Sequence, residues 1–482
     1  MNTKAITFKS LSTIRLSLSK TNLTFRMRKI YATLVLSIAI TSLFSQQTLV
    51  LKNFKYRINT YRAINYSLNS GSQVNSTTLP PGNFKNSSAS GVAGVNYFTT
   101  KSTDKILLTA TGGLSASFYS GRSETPIEEN TSKNFNVMPR IYVLNKWYGK
   151  KLFTELGADI STSYRSGKDV DSKYLLPEKY KQGDYYLSIN TGIGKGRLEN
   201  ITDMQNALWL YKDLEGEKLL SRSLTDEELN ELGKAITKGN NTRVLDSRRR
   251  TQFILKTVDE FFQQKNLLHK TDINYFVHLN DILFFAFNNP RLSGTEKFIR
   301  FTPSIVVNNG DVTSNNVVNR YQQRYQTQSL VFSTGINQYI PVNLTKQFNY
   351  GAAIRLSYIS KRLTDRSYIS GTLSNETKMN SDLKEAALNV FFQHAIYPNT
   401  RTTISFNLQS DGGYQDIVQN PGWYTDVNLS ASLNYFISYR IRFTCNAGAS
   451  YEKNRYYYNS QPVNFTAERL QLYASAGLEI SL

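Results

Sequence analysis

The sequence predicts a mainly β protein, a transmembrane antiparallel β-barrel of about fourteen strands interrupted once by an all-α insert. Three observations predict this fold. Apolar and polar residues alternate in segments longer than the five or six residues of an ordinary strand. The connections between these segments are alternately long and short. One central stretch has helical instead of strand periodicity.

The N-terminal region predicts export. Residues 30–44 form an apolar run, preceded by Arg28 and Lys29 and followed by Ser45 and Gln46. A short apolar run with a basic flank is typical of a secretory signal peptide, since a membrane-spanning helix needs about 20 apolar residues. We expect residues 1–26 to be an upstream extension and residues 27–45 to be a signal peptide. The alternative is a signal anchor retained in the inner membrane.

Composition excludes several classes of protein. The chain has 482 residues, 57 Lys and Arg, 36 Asp and Glu, a net charge of +21 and a single cysteine, Cys445. One cysteine excludes an internal disulfide framework and a Cys-based zinc cluster. A mean hydropathy of −0.40 is too polar for a bundle of membrane helices. Residues 1–45 hold seven basic residues and no acidic one, so the mature chain carries +14. In an exported protein this surplus does not indicate nucleic acid as a partner.

From Lys52 onward the dominant signal has strand periodicity, except in residues 197–290. It is clearest in residues 54–68 and 470–482. We expect barrel strands 1–6 in residues 46–196 and strands 7–14 in residues 291–482. Between the two terminal strands, alternation predicts further strands near residues 91–101, 105–120, 134–147, 152–166, 184–196, 296–309, 326–341, 347–362, 384–397, 400–411, 423–437 and 440–453.

The lengths of the connections indicate a compartment. Long connections follow the odd-numbered strands and short ones follow most of the even-numbered strands. With an even strand count, this pattern is typical of a barrel in the outer membrane of a Gram-negative bacterium, with both termini in the periplasm. Such a barrel contacts outer-membrane lipid and lipopolysaccharide. A soluble β-sandwich would also alternate in hydropathy, but nothing in it makes loop lengths alternate.

Residues 197–290 break the loop pattern and predict a helical domain. Two capping-box patterns, Thr202–Gln205 and Thr225–Glu228, precede apolar residues at helical spacing. Two more helices are expected at about 246–265 and 272–288. Strand parity places this insert in the periplasm. Its thirteen basic and fourteen acidic residues nearly cancel, so the basic surplus belongs to the barrel.

The basic surplus has two interpretations. Lys55, Arg57, Arg355, Arg440 and Arg442 are candidate inward-facing residues of the barrel wall, and a cationic lumen would favour anions. The alternative is that basic residues neutralise lipopolysaccharide phosphates at the cell surface.

No motif predicts a catalytic residue, a cofactor or a metal. The histidines are His269, His278 and His394, and none has His-Glu-x-x-His spacing. A zinc site in the insert and an enzyme centred on His394 remain alternatives. Gly192-Ile-Gly194-Lys-Gly196 invites a phosphate-loop interpretation but lacks the Gly-Lys-Ser/Thr ending. The end of a strand in which glycine allows the backbone to bend explains the motif better.

One basic run in the insert is a candidate partner site. Arg248, Arg249 and Arg250 could hold a periplasmic protein or peptidoglycan through acidic groups. The alternative is a solvated helix face with intrahelical ion pairs.

Three segments of the insert resemble a known group of proteins. They are Gly194-Lys-Gly-Arg-Leu-Glu199, Asp203-x-x-x-Ala-Leu-Trp-x-x-x-x-Leu214 and Arg243-Val-Leu-Asp-Ser-Arg-Arg-Arg250. The mature chain resembles uncharacterised outer-membrane β-barrel proteins of the Bacteroidota that have a helical periplasmic insertion. The resemblance implies this architecture and brings no catalytic residues with it.

The sequence leads to two functional hypotheses. The first is a porin-like channel or small-solute transporter whose helical domain gates the lumen or docks a partner. The alternative is a non-conducting envelope anchor whose insert binds a periplasmic protein or peptidoglycan.

Overall fold

The computed structural model describes residues 46–79, 82–125, 128–171, 178–242, 247–285, 291–314, 319–417, 421–438, 441–457 and 464–480. The expected extension, signal peptide and residue Arg440 lie outside these ranges. Fourteen strands form one antiparallel sheet in sequence order, which confirms the mainly β fold and the strand count. They are β1 (Ile58–Leu79), β2 (Gly82–Ser102), β3 (Ile106–Glu124), β4 (Glu129–Tyr148), β5 (Phe153–Asp171), β6 (Glu178–Asn200), β7 (Leu292–Ser314), β8 (Asn319–Pro341), β9 (Lys346–Ile369), β10 (Thr372–Asn399), β11 (Thr402–Ile417), β12 (Gly422–Ser438), β13 (Ile441–Tyr457) and β14 (Asn464–Ile480).

The strands are longer than alternation predicted. Residues 70–90 were expected to be a connection, but β1 continues to Leu79 and β2 starts at Gly82, with pairing throughout. This stretch is rich in Ser, Asn and Thr on both faces, so its hydropathy does not alternate although its backbone is paired. Periodicity therefore detects only the part of a strand whose two faces meet different surroundings.

The expected connection at 363–383 is also mostly strand. β9 and β10 pair through it and are joined by Ser370 and Gly371 alone. Both residues have positive φ, at 49° and 82°. Two residues of positive φ suit the two-residue hairpins whose twist matches that of the flanking strands, and glycine adopts this conformation without strain.

The N-terminal part of the described chain corrects the first predicted strand. Residues 46–53 form a helix, α1 (Gln46–Asn53), and β1 begins only at Ile58. Phe54, expected on the apolar face of a strand, is 1% exposed and belongs to the same hydrophobic cluster as Met204 and Leu232. Val50, Leu51 and Phe54 are three and four residues apart, which is helical spacing, and they pack into the helical core, whereas the alternation of the strand begins after them.

The segment between β6 and β7 forms four helices, as predicted. They are α2 (Thr202–Gly216), α3 (Asp226–Asn241), α4 (Ser247–Gln264) and α5 (Ile273–Phe285). We use "helical domain" for these helices together with α1 and Phe54, because their apolar side chains share one buried cluster. No helix in the described ranges is long and apolar enough to cross a membrane.

The two predicted capping boxes have different outcomes. At α3 the Glu228 backbone N–H donates to Thr225 Oγ1 at 3.3 Å and the Thr225 N–H donates to the Glu228 carboxylate at 3.0 Å, which confirms the prediction. At α2 the prediction is wrong. Ile201 is the N-cap residue, and the Thr202 hydroxyl accepts the Arg291 N–H at 2.8 Å instead of capping its own helix.

Candidate functional site

The two faces of the sheet differ in chemistry. Large apolar side chains on one face, named here the apolar face, stay exposed on nearly every strand. The opposite face, named the polar face, carries mostly Ser, Thr, Asn, Gln and charged residues. Exposed members of the apolar face include Ile64, Leu68, Leu114, Phe118, Ile141, Leu156, Ile160, Leu187, Ile193, Ile299, Phe301, Leu330, Phe332, Ile354, Leu356, Leu388, Phe406, Leu429, Leu472 and Leu478.

Four charged residues form a compact cluster on the polar face of β4, β5 and β7. The Lys146 Nζ atom lies 2.7 Å from the Glu296 carboxylate and 3.5 Å from that of Glu155. Arg300 contacts both carboxylates, at 2.9 Å for Glu296. The carboxylates are 0% and 5% exposed and the Lys146 side chain 8%. This buried quartet has no net charge, which offsets the cost of removing four ions from water.

Glycines of β6 make room for the quartet. A Cβ atom at Gly192 would lie 2.8 Å from Glu155 Oε1, and one at Gly194 would overlap the Phe153 ring. Gly196 has φ of +93°, and a Cβ atom there would overlap the backbone of Thr295 on β7. The Gly-x-Gly-x-Gly motif is therefore part of a strand that packs closely against its neighbours. This supports the strand interpretation of the motif.

Arg291, which sequence reasoning did not single out, joins the helical domain to the sheet. It is 1% exposed. Its guanidinium donates to the backbone oxygens of Leu344 at 2.9 Å, Asn343 at 2.6 Å and Lys346 at 3.0 Å, and to Gln347 Oε1 at 2.6 Å. Burial lowers the pKa of Arg291 to about 10. The helical domain is therefore fixed to the turn between β8 and β9.

A row of amides continues from this joint across the polar face. Gln347 donates to Asn349 at 2.6 Å, Asn349 to Gln393 at 2.6 Å, and Gln393 to Asn407 at 2.8 Å. Asn407 then donates to Ser430 Oγ at 3.3 Å. The row crosses β9, β10, β11 and β12 at one level of the sheet. Paired polar groups of this kind fix side chains on a face that would otherwise be free to rearrange.

The candidate lumen residues fall into three locations. Lys55 and Arg57 precede β1, so they do not lie on the sheet wall where the sequence interpretation placed them. Arg355 is on the polar face, 3.0 Å from the Glu385 carboxylate and 3.8 Å from that of Asp411. Arg442 shares this face, because its β12 partner is Phe436, whose neighbour Tyr435 is on the apolar face. Arg440 lies outside the described residues.

Arg57, between Phe54 and β1, joins the ends of two strands next to the helical domain. Its guanidinium contacts Glu199 at 2.8 Å, at the end of β6, and Asp104 at 2.8 Å, in the turn after β2. Arg197 donates to the Ser102 hydroxyl at 2.9 Å beside it. On α5, Asp281 pairs with Arg401 in the turn after β10. The helical domain thus contacts several turns at the same end of the sheet.

Inside the helical domain, a buried carboxyl links two helices. Asp203 of α2 accepts hydrogen bonds from Thr237 at 2.8 Å and Asn240 at 2.9 Å, both on α3. Burial raises the pKa of Asp203, and the two hydrogen bonds oppose that rise. Asp203 begins the Asp203–Leu214 segment that the sequence singled out, and its contacts are those of a packing residue.

The remaining sequence candidates are separate from these clusters. Arg249 and Arg250 are exposed on α4, with an Arg250 N–H 3.5 Å from the Asn240 carbonyl oxygen, while the Arg248 side chain is outside the described set. His394 stacks on Phe348 of the apolar face, with ring centroids 4.5 Å apart. Within the described residues, no group of three or more His, Cys, Asp or Glu could hold a metal.

Comparisons with known proteins identify no family. No protein-family model matches the chain, and no curated protein matches its sequence. Similar solved structures include the β domain of the Bordetella autotransporter Brka, 10% identical, with 77% of this chain and 99% of that chain covered and a TM-score of 0.25. The translocator domain of autotransporter NalP from Neisseria meningitidis is 7% identical, with 77% and 88% covered and a TM-score of 0.26. A TodX monoaromatic hydrocarbon channel mutant is 7% identical, with 91% and 93% covered and a TM-score of 0.28. Identities and TM-scores this low do not establish a shared function.

Proposed function

We propose that the chain is an outer-membrane β-barrel that lets small polar solutes pass, with the helical domain fixed at its periplasmic end. One observation carries this proposal: a single continuous sheet exposes large apolar side chains on one face and keeps paired ions and amides on the other. A sheet with this distribution suits an apolar solvent outside and water inside. A soluble antiparallel sheet has the reverse arrangement, with its apolar face buried.

The height of the apolar face suits a bilayer. On β8, apolar-face positions are mostly apolar from Ile340 to Leu330, which is ten residues along the strand. Ten residues rise about 33 Å along a strand and about 25 Å when the strand is tilted by roughly 40°. This equals the apolar band of outer-membrane barrels.

Barrel closure is part of the proposal. The strand order ends at β1 and β14, each of which pairs with one neighbour, β2 or β13. An unpaired strand edge in hydrocarbon would leave every outward backbone N–H and C=O without a partner, at several kcal/mol each. We therefore expect β1 and β14 to pair in the membrane. Cysteine pairs placed across β1 and β14, in a Cys445→Ser background, should cross-link within one molecule.

Ion pairing on the polar face reduces the expected selectivity. Arg355, Lys146 and Arg300 all contact carboxylates, which neutralise their charge. The polar face therefore carries less unpaired positive charge than the net charge of the barrel suggests. A cavity of about 500 Å³ on this face is lined by residues of β2 to β7, including Arg140, Ser163 and Asp184. We expect a weak anion preference at most.

The direct test is conductance of the refolded mature chain in planar bilayers under a salt gradient. Stable conductance supports the proposal that small polar solutes pass through the barrel, and the reversal potential measures the ion selectivity. A second chain lacks the helical domain: residues 46–56 are removed, and 201–291 are replaced by an Asn-Gly turn. Asn200 and Leu292 are cross-strand partners, so a two-residue turn can join them. Conductance only after deletion would make the domain a plug or gate. Silence from both chains, with folding confirmed by heat-modifiable gel migration, would reject the passage.

One observation favours the alternative, an envelope anchor. Ile273, Phe276 and Val277 form an exposed apolar stripe on α5, at 81%, 38% and 56% exposure. Apolar residues at this spacing on a helix surface are typical of a site that packs against another protein. Capture of one periplasmic protein by the wild-type chain, lost in Ile273→Ser with Val277→Ser and accompanied by silent bilayers, would favour this function. Arg249 and Arg250 would be tested for peptidoglycan binding in the same way.

A further inference from the structure

The apolar face changes character abruptly on the side away from the helical domain. On β9, apolar-face positions are apolar through Leu356 and Tyr358, and the next ones are Ser360, Arg362, Thr364 and Arg366. On β8 the apolar-face positions change from apolar to polar after Leu330. Above that level, apolar-face positions on both strands are polar or cationic, namely Gln328, Gln326, Arg324, Gln322 and Arg320 on β8.

Cations from four strands meet at a groove above this boundary. The groove has a volume of about 450 Å³, and its lining includes Lys181 of β6, Arg324 of β8, Arg366 of β9 and Lys378 of β10. Arg362 lies on the same face, opposite Gln326, one pair nearer the apolar band. We call these five residues the distal cationic groove.

Carboxylates neutralise the groove only in part. Arg366 and Lys378 share the Glu376 carboxylate, at 2.7 Å and 2.9 Å. Asp311 is in the groove lining and pairs with Arg320 beside it.

The other three groove cations do not share a carboxylate as Arg366 and Lys378 do. Among the described residues, Lys181, Arg324 and Arg362 have no carboxylate within 4.0 Å, although Asp311, which pairs with Arg320, is the cross-strand partner of Lys181. The groove therefore keeps positive charge directly above a broad apolar surface.

We propose that the distal cationic groove binds the phosphorylated headgroup of a glycolipid whose acyl chains lie on the apolar face below. This inference rests on the proposed membrane location. Arg362 is four residues beyond Tyr358, which is about 13 Å along a strand and about 10 Å above the apolar band. Phosphates of membrane lipids lie at this level. Guanidinium groups present paired N–H donors that match phosphate oxygens.

The continuity of the groove with the apolar band selects a lipid over a free anion. A soluble phosphate would gain nothing from Leu330, Leu356 and Tyr358, which are 49%, 49% and 39% exposed. A glycolipid uses the cations and the apolar residues together. The outward face also excludes a role of this groove in lining the proposed passage.

The test compares two double variants with the same loss of charge. Arg324→Gln with Arg362→Gln removes two groove cations. Arg165→Gln with Lys361→Gln removes two cations from the polar face, and Lys361 is the immediate neighbour of Arg362. Each full-length mature chain is inserted into phosphatidylcholine vesicles that contain bis-phosphorylated lipid A, dephosphorylated lipid A or neither. Retained glycolipid is measured by mass spectrometry after extraction.

We expect the wild-type and control chains to retain bis-phosphorylated lipid A equally, and the groove variant to bind it about 10-fold or more weakly. Equal retention by both variants, or equal retention of dephosphorylated lipid A, would overturn the proposal. Displacement by millimolar inorganic phosphate would instead indicate a simple anion site and reject the glycolipid. A chain that enters no vesicle overturns the membrane function as well, whereas one that inserts without phosphate-dependent binding overturns this inference alone.

Discussion

Leu232 of the helical domain and Leu330 of the sheet have the same side chain, but the first is buried and the second is exposed. Leu232 is 0% exposed in a cluster shared by α1 to α5, whereas Leu330 is 49% exposed on a face with many similar side chains. Charged side chains have the opposite distribution, exposed in the helical domain and buried in the sheet. Lys256 and Glu260 of α4 are exposed by more than half, while Glu155 and Glu296 of the sheet are almost fully buried.

This contrast is what we expect if the two regions meet different solvents, as the proposed membrane location requires. The helical domain buries apolar surface as water-soluble domains do, gaining about 25 cal/mol for each Å² removed from water. The sheet leaves its apolar side chains exposed and pairs its ions on the opposite face, an arrangement that suits the proposed location in hydrocarbon. Substitutions that are harmless in one region should therefore be severe in the other.

The largest expected effect concerns the buried quartet. Glu155→Gln removes one negative charge and leaves Lys146 and Arg300 with a single carboxylate, Glu296. Breaking a buried ion pair in this way costs about 3–5 kcal/mol. We expect that loss in the free energy of unfolding, measured by denaturant titration of the chain in lipid vesicles.

A compensating change checks the cause. Glu155→Gln combined with Lys146→Met restores charge balance and should recover part of the loss, since the two positions are coupled. A double variant as unstable as the sum of the two single variants would show that charge balance does not matter at the quartet.

A smaller effect separates the two faces of one strand. Ile160 is 44% exposed on the apolar face of β5, and its neighbour Ser161 is on the polar face. In the membrane, Ile160→Lys should cost about 2–4 kcal/mol. Ser161→Lys should cost about 1 kcal/mol or less, because its new charge meets water, and Asp159, which lies 2.8 Å from Arg140, offsets part of the repulsion from that cross-strand partner. Folding yield in vesicles and denaturant titration report both values, and equal costs would contradict the assignment of faces.

The next largest expected effect on stability concerns Arg291, which joins the helical domain to the sheet. Arg291→Met removes the guanidinium donors to the backbone oxygens of Asn343, Leu344 and Lys346, and we expect a loss of about 3 kcal/mol or less in the free energy of unfolding, since the burial cost of the cation is also removed. Hydrogen exchange should rise at residues 343–346 before it rises elsewhere in the sheet. Lys256→Ala on exposed α4 is the control and should change stability by less than about 0.5 kcal/mol. Unchanged exchange at the turn would mean that other contacts hold the domain.

The smallest effect is a pH dependence in the helical domain. The Arg222 guanidinium, 2.7 Å from the Glu228 carboxylate, lowers the pKa of Glu228 to about 2, and the capping hydrogen bond of Thr225 adds to this. Because the folded pKa is depressed, this carboxylate contributes stability above its unfolded pKa of about 4.3, and the contribution is lost as pH falls toward 2.

Arg222→Ala should raise the pKa of Glu228 and so reduce the loss of stability between pH 4 and 2. Circular dichroism of acid unfolding measures this loss. Asp203 acts with the opposite sign, because burial raises its folded pKa and protonation stabilises the folded form. An Arg222→Ala chain with the wild-type acid profile would contradict the assigned pairing.

Much of the fold could be predicted because strand and helix periods are local properties of the sequence. The four helices of the insert and the Thr225–Glu228 cap followed from spacing alone. The first strand did not, because the Phe54 pattern fits a strand or a packed helix terminus. The candidate site was harder. Arg291, Glu155 and Lys146 stand in no motif. Arg291 contacts Asn343 and Gln347, 52 and 56 positions away, and β7 supplies the quartet with Glu296 and Arg300, 150 positions from Lys146 and 145 from Glu155.

The glycine motif of β6 was the one available signal for the quartet. Gly192 and Gly194 share the polar face with Glu155, and missing side chains on one face of a strand indicate that something large packs there. The motif alone does not say what packs there, because β5 and β7 supply it. Arg57 was placed on a wall because alternation cannot detect that the sheet begins one residue later.

By itself the sequence determined the alternation of faces, the fourteen strands and the position of the helical domain, because each depends on the order of neighbouring residues. Only the tertiary structure decided which cations are paired, where the helical domain is anchored and which cations gather on the distal apolar-face side. These depend on register across the sheet, which brings Lys146 to Glu296 and Arg324 to Arg366. Alternation fixes the face on which a residue lies, but a slip of two residues keeps every residue on its face, so alternation alone does not say which residues become neighbours.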